Sequence, residues 1–530
     1  MVTVDGRETH VVVVGAGVGG LACAARLCRK GCRVTVVEKN SEADVGGRVN
    51  ELSLGGGAYR FDTGPSLLLL PKIYNETFTD LGRDSGDFFE MRRVSPAYQV
   101  YFEDGRGVQL CEDEALMREQ LDGLEAGGYD KYRDYMDYAQ LNLEVGLPNF
   151  IEERLNLTRM PEFAWNALTA SPLENHHRQL ARRFSTPEMR ALMSFQDLYV
   201  GLSPYNAPAV FSLLGAIELN DGIYYPMGGF AGVARSLLSV CRSLGVSFRF
   251  GASVQEVLVG GEAGRVRAQG EKEGLGEDLE ADVVLCNADL PYAEDALLPE
   301  SVARSFDKAE YSSSVVAFYW ASRRCWPQLS HHSLFLSQNW EGSWESAFGG
   351  APGGGLAGED FNFYVAAPAR TDPSVCPEGC DAVMVLVPAP PLPEGREGGT
   401  EGGREGGREG GSEEMERWVE RAREGVLRRF EKAAGMQGFR ESIVEEAVYS
   451  PTKWRDRRVV EYNLRRGAVF GLSHGLNQLS LLRPSPRHPV VTNLWFCGAS
   501  TRPGNGVPLV LTGARLVAED MVKVLEAGST

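Results

Sequence analysis

The chain opens its apolar pattern with the run His10-Val11-Val12-Val13-Val14, a short β-branched stretch that predicts a buried strand. Gly15-Ala16-Gly17-Val18-Gly19-Gly20 follows at once. Over 21–30 the apolar residues Leu21, Ala24, Ala25 and Cys28 recur at helical spacing, and Gly31 ends that helix. Val34-Thr35-Val36-Val37 predicts the next strand, which ends at Glu38, so the first forty residues read as a complete βαβ unit. Residues 113–220 carry helix-forming patterns with charged faces, and 222–229 is a turn-rich joint. A helix over 231–244 closes at Gly245, and strands are predicted over 246–250, 254–259 and 283–287. β-branched and apolar stretches over 313–320 and 382–387 suggest a second sheet. Trp418, Ala422, Val426 and Phe430, at steps of four, form a helical packing stripe. The last segment reads as strand (493–497), glycine loop (498–506) and helix (507–526).

Between these elements, 394–414 contains only Glu, Gly, Arg, one Thr and one Ser. Such a stretch buries too little apolar surface to offset its ordering entropy, so it is expected to be a disordered surface insert. The 530-residue chain as a whole is 43% hydrophobic and 24% charged, an ordinary globular balance, and it is long enough for two intertwined domains. A net charge of −18 argues against nucleic acid, whose phosphates need a basic footprint. It also disfavours binding an anionic bilayer by charge alone. Ten cysteines are too sparse for a disulfide framework. Cys376 and Cys380, four apart around Pro377 and Gly379, read as a loop. No apolar run approaches the ~20 residues of a membrane span. Only nine residues precede the first strand, so no targeting segment is expected within this chain, and a plastid stays open for a trimmed precursor.

The chemistry lies in the glycines. Gly15 allows the tight turn after the strand, Gly17 lets the backbone approach a pyrophosphate, and Gly20 permits close packing of helix on strand. Amides and dipole at the helix start favour phosphate charge. Glu38, followed by Lys39, can accept hydrogen bonds from both ribose hydroxyls, and an acid there disfavours a 2′-phosphate. Gly46-Gly47-Arg48 then separates FAD from NAD: a second glycine pair with an arginine runs past the FAD pyrophosphate, where Arg48 faces its charge. The distal loop from Gly498 and Ala499 to Gly506, Val507 and Pro508 supplies another glycine turn at a helix start, which would stabilise negative charge on a reduced flavin. The histidine pairs 176–177 and 331–332 lack metal spacing, and no metal site, nucleophile elbow or P-loop is found.

Beyond these glycines, the sequence resembles the phytoene desaturases of the bacterial and fungal type, within the amine-oxidase-like flavoproteins. The residues that carry the likeness run from Arg60-Phe61-Asp62-Thr63-Gly64-Pro65-Ser66 through Pro71 to Gly82. They continue in Gly222-Ile223-Tyr224-Tyr225-Pro226-Met227-Gly228-Gly229, in Phe363-Tyr364-Val365, Asp372-Pro373-Ser374 and Leu386-Val387-Pro388, in 467–474, in Arg483-Pro484 and in 498–519. The resemblance implies an α/β fold: a two-dinucleotide-binding-type (Rossmann-like) FAD domain over 1–110, 222–300 and 446–530, with an inserted α+β substrate domain over 111–221 and 301–445 that faces the membrane. It implies an FAD-dependent oxidoreductase acting on CH–CH bonds, desaturating phytoene or a related C40 polyene. Oxygen or a quinone would accept the electrons, and the protein would sit peripherally on a membrane surface, with homo-oligomerisation left open. Carried over by motif, Gly15, Gly17, Gly20, Glu38, Lys39, Gly47 and Arg48 hold the adenylate half, Val254 meets FAD through its backbone, and Gly498, Ala499, Gly506, Val507 and Pro508 line the flavin half.

Two positions depart from the family pattern close to the expected flavin: Arg502 stands where His is usual, and Asn505 where a small residue is common. They keep other readings open: a carotenoid isomerase, a carotenoid oxidase, a retinol-saturase-like enzyme, or a non-catalytic carotenoid-binding flavoprotein. An amine oxidase would need an aromatic cage that Trp495 and Tyr462 alone do not make. No catalytic acid or base is assigned, because the spacing of Arg182, Arg183 and Asp197 does not separate catalysis from a solvated helix face.

Overall fold

The valines of the first strand, His10–Val14, are almost wholly buried, and they lie at the centre of a five-stranded parallel sheet. A computed structural model describes residues 3–4, 7–148, 173–258, 264–270, 277–348, 361–392, 408–455 and 464–528. The strand order is Ser247–Arg249, Arg33–Val37, His10–Val14, Val283–Cys286, Leu494–Phe496, so segments hundreds of residues apart meet in one sheet. Successive side chains point to opposite faces. Val11 and Val13 pack under the helices Val18–Arg29, Phe230–Leu244 and Val507–Gly528. Val12 and Val14 pack on the other face against Val254, Val257 and Leu279 of a three-stranded antiparallel sheet, Ala252–Leu258, Gly264–Gly270 and Glu277–Ala281.

The first helix begins at Val18, three residues before the apolar periodicity does, with Gly17 as its N-cap. The reason is contact. A Cβ on Gly20 would lie 2.3 Å from the Gly15 carbonyl oxygen, so the first turn must be glycine to rest on the strand. Gly232, inside Phe230–Leu244, is the opposite case, because a Cβ there meets nothing within 4 Å. Gly232→Ala is therefore expected to stabilise the protein by about 0.5–1 kcal/mol, read as a higher urea midpoint with unchanged slope.

The second sheet has seven strands, in the order Ile443–Tyr449, Ser314–Ser322, Asp381–Ala389, Phe363–Ala366, His332–Leu336, Tyr98–Phe102, Gly107–Leu110. Ser314–Ser322 and Asp381–Ala389 pair antiparallel along their whole length, Ser314 opposite Ala389 and Ser322 opposite Asp381. On one face Val316, Phe318 and Trp320 pack with Trp418, Ala422, Val426 and Phe430, the predicted stripe, on helix Arg408–Ala434. On the other face Val315, Ala317, Tyr319, Tyr364 and Leu386 turn toward the helical segment 114–146.

Three boundaries differ from the sequence expectation. The strands Tyr98–Phe102 and Gly107–Leu110 fall before 110 but pair in the seven-stranded sheet, and Ile443–Tyr449 carries that sheet past 446. Period-two alternation marks a strand and is silent about which sheet it joins. The Glu/Gly/Arg segment expected over 394–414 lies outside the described residues up to 407, and helix Arg408–Ala434 already begins at its last seven positions. A helix nucleated on the buried stripe extends backward at one hydrogen bond per residue, which composition alone does not reveal.

Candidate functional site

The carboxyl ends of the parallel strands converge where the strand order reverses, between His10–Val14 and Val283–Cys286, the usual place for a ligand in an open α/β sheet. Gly15 adopts φ +97°, which turns the chain from strand into helix. Asn287, one residue past the end of its strand, packs into this elbow. Its N–H donates to the Val14 carbonyl (2.8 Å) and its Nδ2 to the Cys497 carbonyl (2.9 Å). A Cβ on Gly17 would meet Asn287 Oδ1 at 2.5 Å. The helix start has no side-chain cap and no acid in its first turn, so its amide ends and dipole remain suited to an anion.

Glu38 is buried, and its carboxylate is fixed by the loop itself. Oε2 accepts from Ala16 N at 2.6 Å and Oε1 from Asn40 N at 3.0 Å. Gly46 pairs with Gly17 in an isolated parallel bridge, bringing the second glycine pair against the first. A Cβ on Gly64 would fall 1.8 Å from the Arg48 carbonyl, so the segment after the next strand also closes on this turn. The Arg48 guanidinium does not stand alone as a free cation. Its Nη2 donates to Asp289 Oδ1 at 2.8 Å, and the same oxygen accepts from Ser500 Oγ at 2.8 Å. Arg48, Asp289 and Ser500 thereby tie three distant segments together.

The distal loop is held from beneath by Arg483. Its side chain is buried, and all five of its N–H groups find carbonyls: Thr501 from Nε (3.1 Å), Ser473 and Gln478 from Nη1 (3.0 and 3.4 Å), Leu472 and Ala499 from Nη2 (3.2 and 2.6 Å). Burial brings its pKa down to about 10. Gly498, Gly504 and Gly506 all have positive φ, and Gly506 hands over directly to helix Val507–Gly528.

These parts enclose a cavity of about 360 Å³. Gly15, Gly17, Glu38, Lys39, Gly47, Arg48 and Val254 line one end, and Gly498, Ala499, Gly506 and Val507 line it from the distal loop. Gly20 and Pro508, expected among the cofactor contacts, are set back from it. Gly20 faces the Gly15 carbonyl, and Pro508 is a buried second residue of its helix, where a missing N–H costs nothing. Of the two departures, Asn505 lines the cavity while its Nδ2 donates to the Tyr199 carbonyl (2.7 Å). Arg502 is not part of the lining, and its Nε donates to the Arg483 carbonyl at 3.1 Å. One further wall is apolar: Val315 and Leu386 from the seven-stranded sheet, with Trp454, Leu464, Val469 and Phe470.

Against this geometry the comparisons with known proteins are decisive. The family model of flavin containing amine oxidoreductases matches residues 18–389. The chain is 35% identical over 526 residues to the phytoene desaturase of Fusarium fujikuroi, covering 97% of this chain and 90% of that one. It is 36% identical over 524 residues to the zeta-carotene-forming phytoene desaturase of Myxococcus xanthus, covering 97% and 94%. The chain belongs to the phytoene desaturase family of flavin-containing amine oxidoreductases. Cyclohexylamine oxidase from Brevibacterium oxydans shares the fold, with a TM-score of 0.61 at 13% identity over 98% of this chain and all of that one. Membership makes the protein an oxidoreductase and implies an FAD cofactor. Among the described residues no helix is long and apolar enough to cross a membrane.

Sequence reasoning missed Asn287, Asp289, Ser500 and the role of Arg483. The first two had a signal, since Asn287 ends the strand predicted over 283–287 and Asp289 follows it closely, and crevice residues gather at strand ends. Ser500 and Arg483 lie in motifs that carry the resemblance, but no local pattern names the partners through which they act, many residues away. Of the residues left without a role, Arg182 pairs with Glu174 at the surface, Arg183 lies over the Tyr138 ring (4.5 Å), and Asp197 is buried against His176 Nδ1 (2.8 Å). Tyr462 lies outside the described residues, and Trp495 is buried in the parallel sheet.

Proposed function

We propose that this protein desaturates a long apolar polyene, phytoene or a related C40 chain, using FAD as its oxidant. The observation that carries this reading is the pairing of two unlike walls in one cavity: a glycine cradle between two helix starts, and an apolar surface from the second sheet. The desaturase names of the relatives support it.

The cradle fits FAD. A side chain at Gly17 or Gly64 would collide with Asn287 or with the backbone, so close approach is built in at the turn where a pyrophosphate would lie. Gly15, Gly17, Gly47 and the start of helix Val18–Arg29 would hold the diphosphate, with Arg48 and Lys39 adding positive charge and Val254 flanking the adenine. Glu38 would accept from the ribose hydroxyls with its remaining lone pairs. Gly498, Ala499, Gly506 and Val507 would meet the flavin half. Bound there, FAD supplies a two-electron oxidant beside the apolar wall. Glu38→Ala removes charge-assisted hydrogen bonds and leaves the Ala16 and Asn40 amides without acceptors. FAD titration of the apoprotein is expected to show binding about tenfold weaker or worse.

A hydrocarbon offers no polar handle, so the protein's own contribution is burial and positioning, and discrimination among chain lengths is shallow. Such a substrate resides in a bilayer, and a peripheral protein would draw it from the membrane surface. Oxygen or a quinone would then accept the electrons. The test is expression in a phytoene-accumulating host with chromatography of the extracted pigments. Coloured products with longer conjugation support the reading and count its steps. Phytoene left unchanged by a protein that still carries FAD overturns it. A product of unchanged mass points to isomerisation.

A further inference from the structure

A second polar cluster is buried between the helical segment 213–221 and the inner face of the seven-stranded sheet. At its centre is Glu218, fully buried on the π-helical turn Ile217–Asp221, a local geometry often met at functional sites. One carboxylate oxygen accepts from Gln196 Nε2 at 3.2 Å, and the other makes no full hydrogen bond. The Tyr98 hydroxyl is close enough to the carboxyl to favour its ionised form, and it lies 3.2 Å from the Tyr199 hydroxyl. Tyr364 belongs to the same cluster. Its hydroxyl bonds Ser66 Oγ at 2.9 Å and His332 Nδ1 at 2.7 Å.

This cluster lies directly behind the lining of the dinucleotide cavity and adjoins lining residues at three points. The Tyr199 carbonyl accepts from Asn505, which lines the cavity. Ser66 follows the lining residue Pro65. Tyr364 stands directly opposite Leu386, which lines the apolar wall. A buried acid with an unsatisfied oxygen is expensive to keep, and a packed apolar residue would serve the fold at least as well. Its presence behind an oxidoreductase cavity, next to Tyr98, whose hydroxyl is itself bonded to that of Tyr199, asks for a chemical use.

We propose that Tyr199, Tyr98 and Glu218 form a relay that carries away the proton lost by the substrate, with the Glu218 carboxylate as its terminal acceptor. This rests on the desaturase reading. Each desaturation breaks two C–H bonds and forms one C=C bond. One hydrogen departs with its electron pair to the two-electron oxidant; the other departs as a proton. Tyr199 takes that proton while passing its own to Tyr98, which passes its own to the carboxylate, so Glu218 ends neutral and both tyrosines are restored.

Burial with neutral partners pushes the Glu218 carboxyl up to about 8. The groups that face it are Gln196 and Tyr199 from Phe195–Val200, and Tyr98 and Tyr364 from the sheet. Burial holds all three tyrosines well above their ordinary range and His332 well below its own. The only one of these groups that titrates between pH 6 and 9 is therefore Glu218. Since the carboxylate is the acceptor, the rate rises with pH up to about 8.

The experiment compares wild type, Glu218→Gln and Tyr98→Phe, each loaded with FAD, for desaturation rate against pH and for thermal unfolding against pH. Glu218→Gln is expected to retain FAD, to lose about 100-fold or more in rate, and to lose the rising limb of the pH profile. The unfolding readout does not depend on activity. The folded carboxyl keeps its proton up to about 8 and the unfolded one only to about 4.5, so wild-type stability declines as pH rises through that window. The Gln variant lacks that decline, and its melting point overtakes the wild type's at pH 9. Should Glu218→Gln fail to fold, Tyr98→Phe decides: a loss of about tenfold or more supports the relay, and an unchanged rate overturns it. A wild type that desaturates while Glu218→Gln keeps its rate, or keeps the rising limb, overturns the relay alone. A wild type that leaves phytoene untouched while carrying FAD overturns the desaturase reading and the relay with it.

Discussion

Gly20→Ala is expected to yield a protein that no longer retains FAD. The added methyl would lie 2.3 Å from the Gly15 carbonyl oxygen and 3.0 Å from Asn287 Oδ1. The first of these is backbone, so no rotamer change relieves it, and the helix Val18–Arg29 must lift off its strand. That helix is not free to lift alone. Cys23 Sγ donates to the Ala514 carbonyl and Cys241 Sγ to the Leu21 carbonyl, each at 3.3 Å, coupling it to Val507–Gly528 and to Phe230–Leu244. The strain therefore reaches both ends of the cradle. Overpacking of this kind costs up to about 3 kcal/mol, and any part of it relieved only by moving the helix starts is subtracted from cofactor affinity, at tenfold for each ~1.4 kcal/mol. The check is the visible flavin absorbance per mole of purified protein. Near-stoichiometric flavin in the alanine variant would show that Gly20 is not held by this contact. Gly232→Ala, in an open position, serves as the control for the same chemical change.

The first helix, the parallel strands and the glycine cradle were legible because each follows from local pattern. A β-branched run, a glycine elbow and a 3.6-residue repeat constrain one another within forty residues, and Glu38 is found by its distance from the elbow. The C-terminal loop was legible for the same reason. What the sequence did not disclose is mostly long-range partnership. Arg48 reads as a cation awaiting a phosphate, whereas the fold places Asp289 and Ser500 against it. Its charge is then partly answered within the protein, and a phosphate bound there would have to share it. Sheet membership was hidden likewise, because Tyr98–Phe102 alternates in the same way whichever sheet it enters. Glu218 follows the apolar-rich stretch Leu213 to Ile217 and precedes Leu219, Asn220 and Asp221, a pattern that does not mark it as buried. Only the fold shows it fully buried, beside tyrosines 120 and 19 residues away in sequence.

Arg483→Met is the second large effect. Arginine alone among side chains offers five N–H donors in a rigid fork, and here each meets a carbonyl of the segments 472–478 and 499–501. Methionine fills similar volume and leaves the carbonyls of Leu472, Gln478, Ala499 and Thr501 short of a donor in a buried region, while Ser473 keeps only the Gln478 side-chain amide. Each orphaned buried acceptor costs about 1–3 kcal/mol, and even with partial rearrangement the total exceeds what one loop can absorb. The loop is expected to leave its place, taking Ala499 and Ser500 out of the cavity wall and freeing Asp289 from its hydroxyl partner. The adenylate end keeps its own cradle, so the variant should bind an adenine dinucleotide fragment far better than it binds the complete flavin dinucleotide. Arg483→Lys, with three donors on a compact head, should repair only part of this. Comparing ADP and FAD titrations of the apoprotein separates the two ends: a parallel loss of both ligands would mean that Arg483 supports the whole fold, and an unaltered FAD affinity would mean that the loop holds its shape without it.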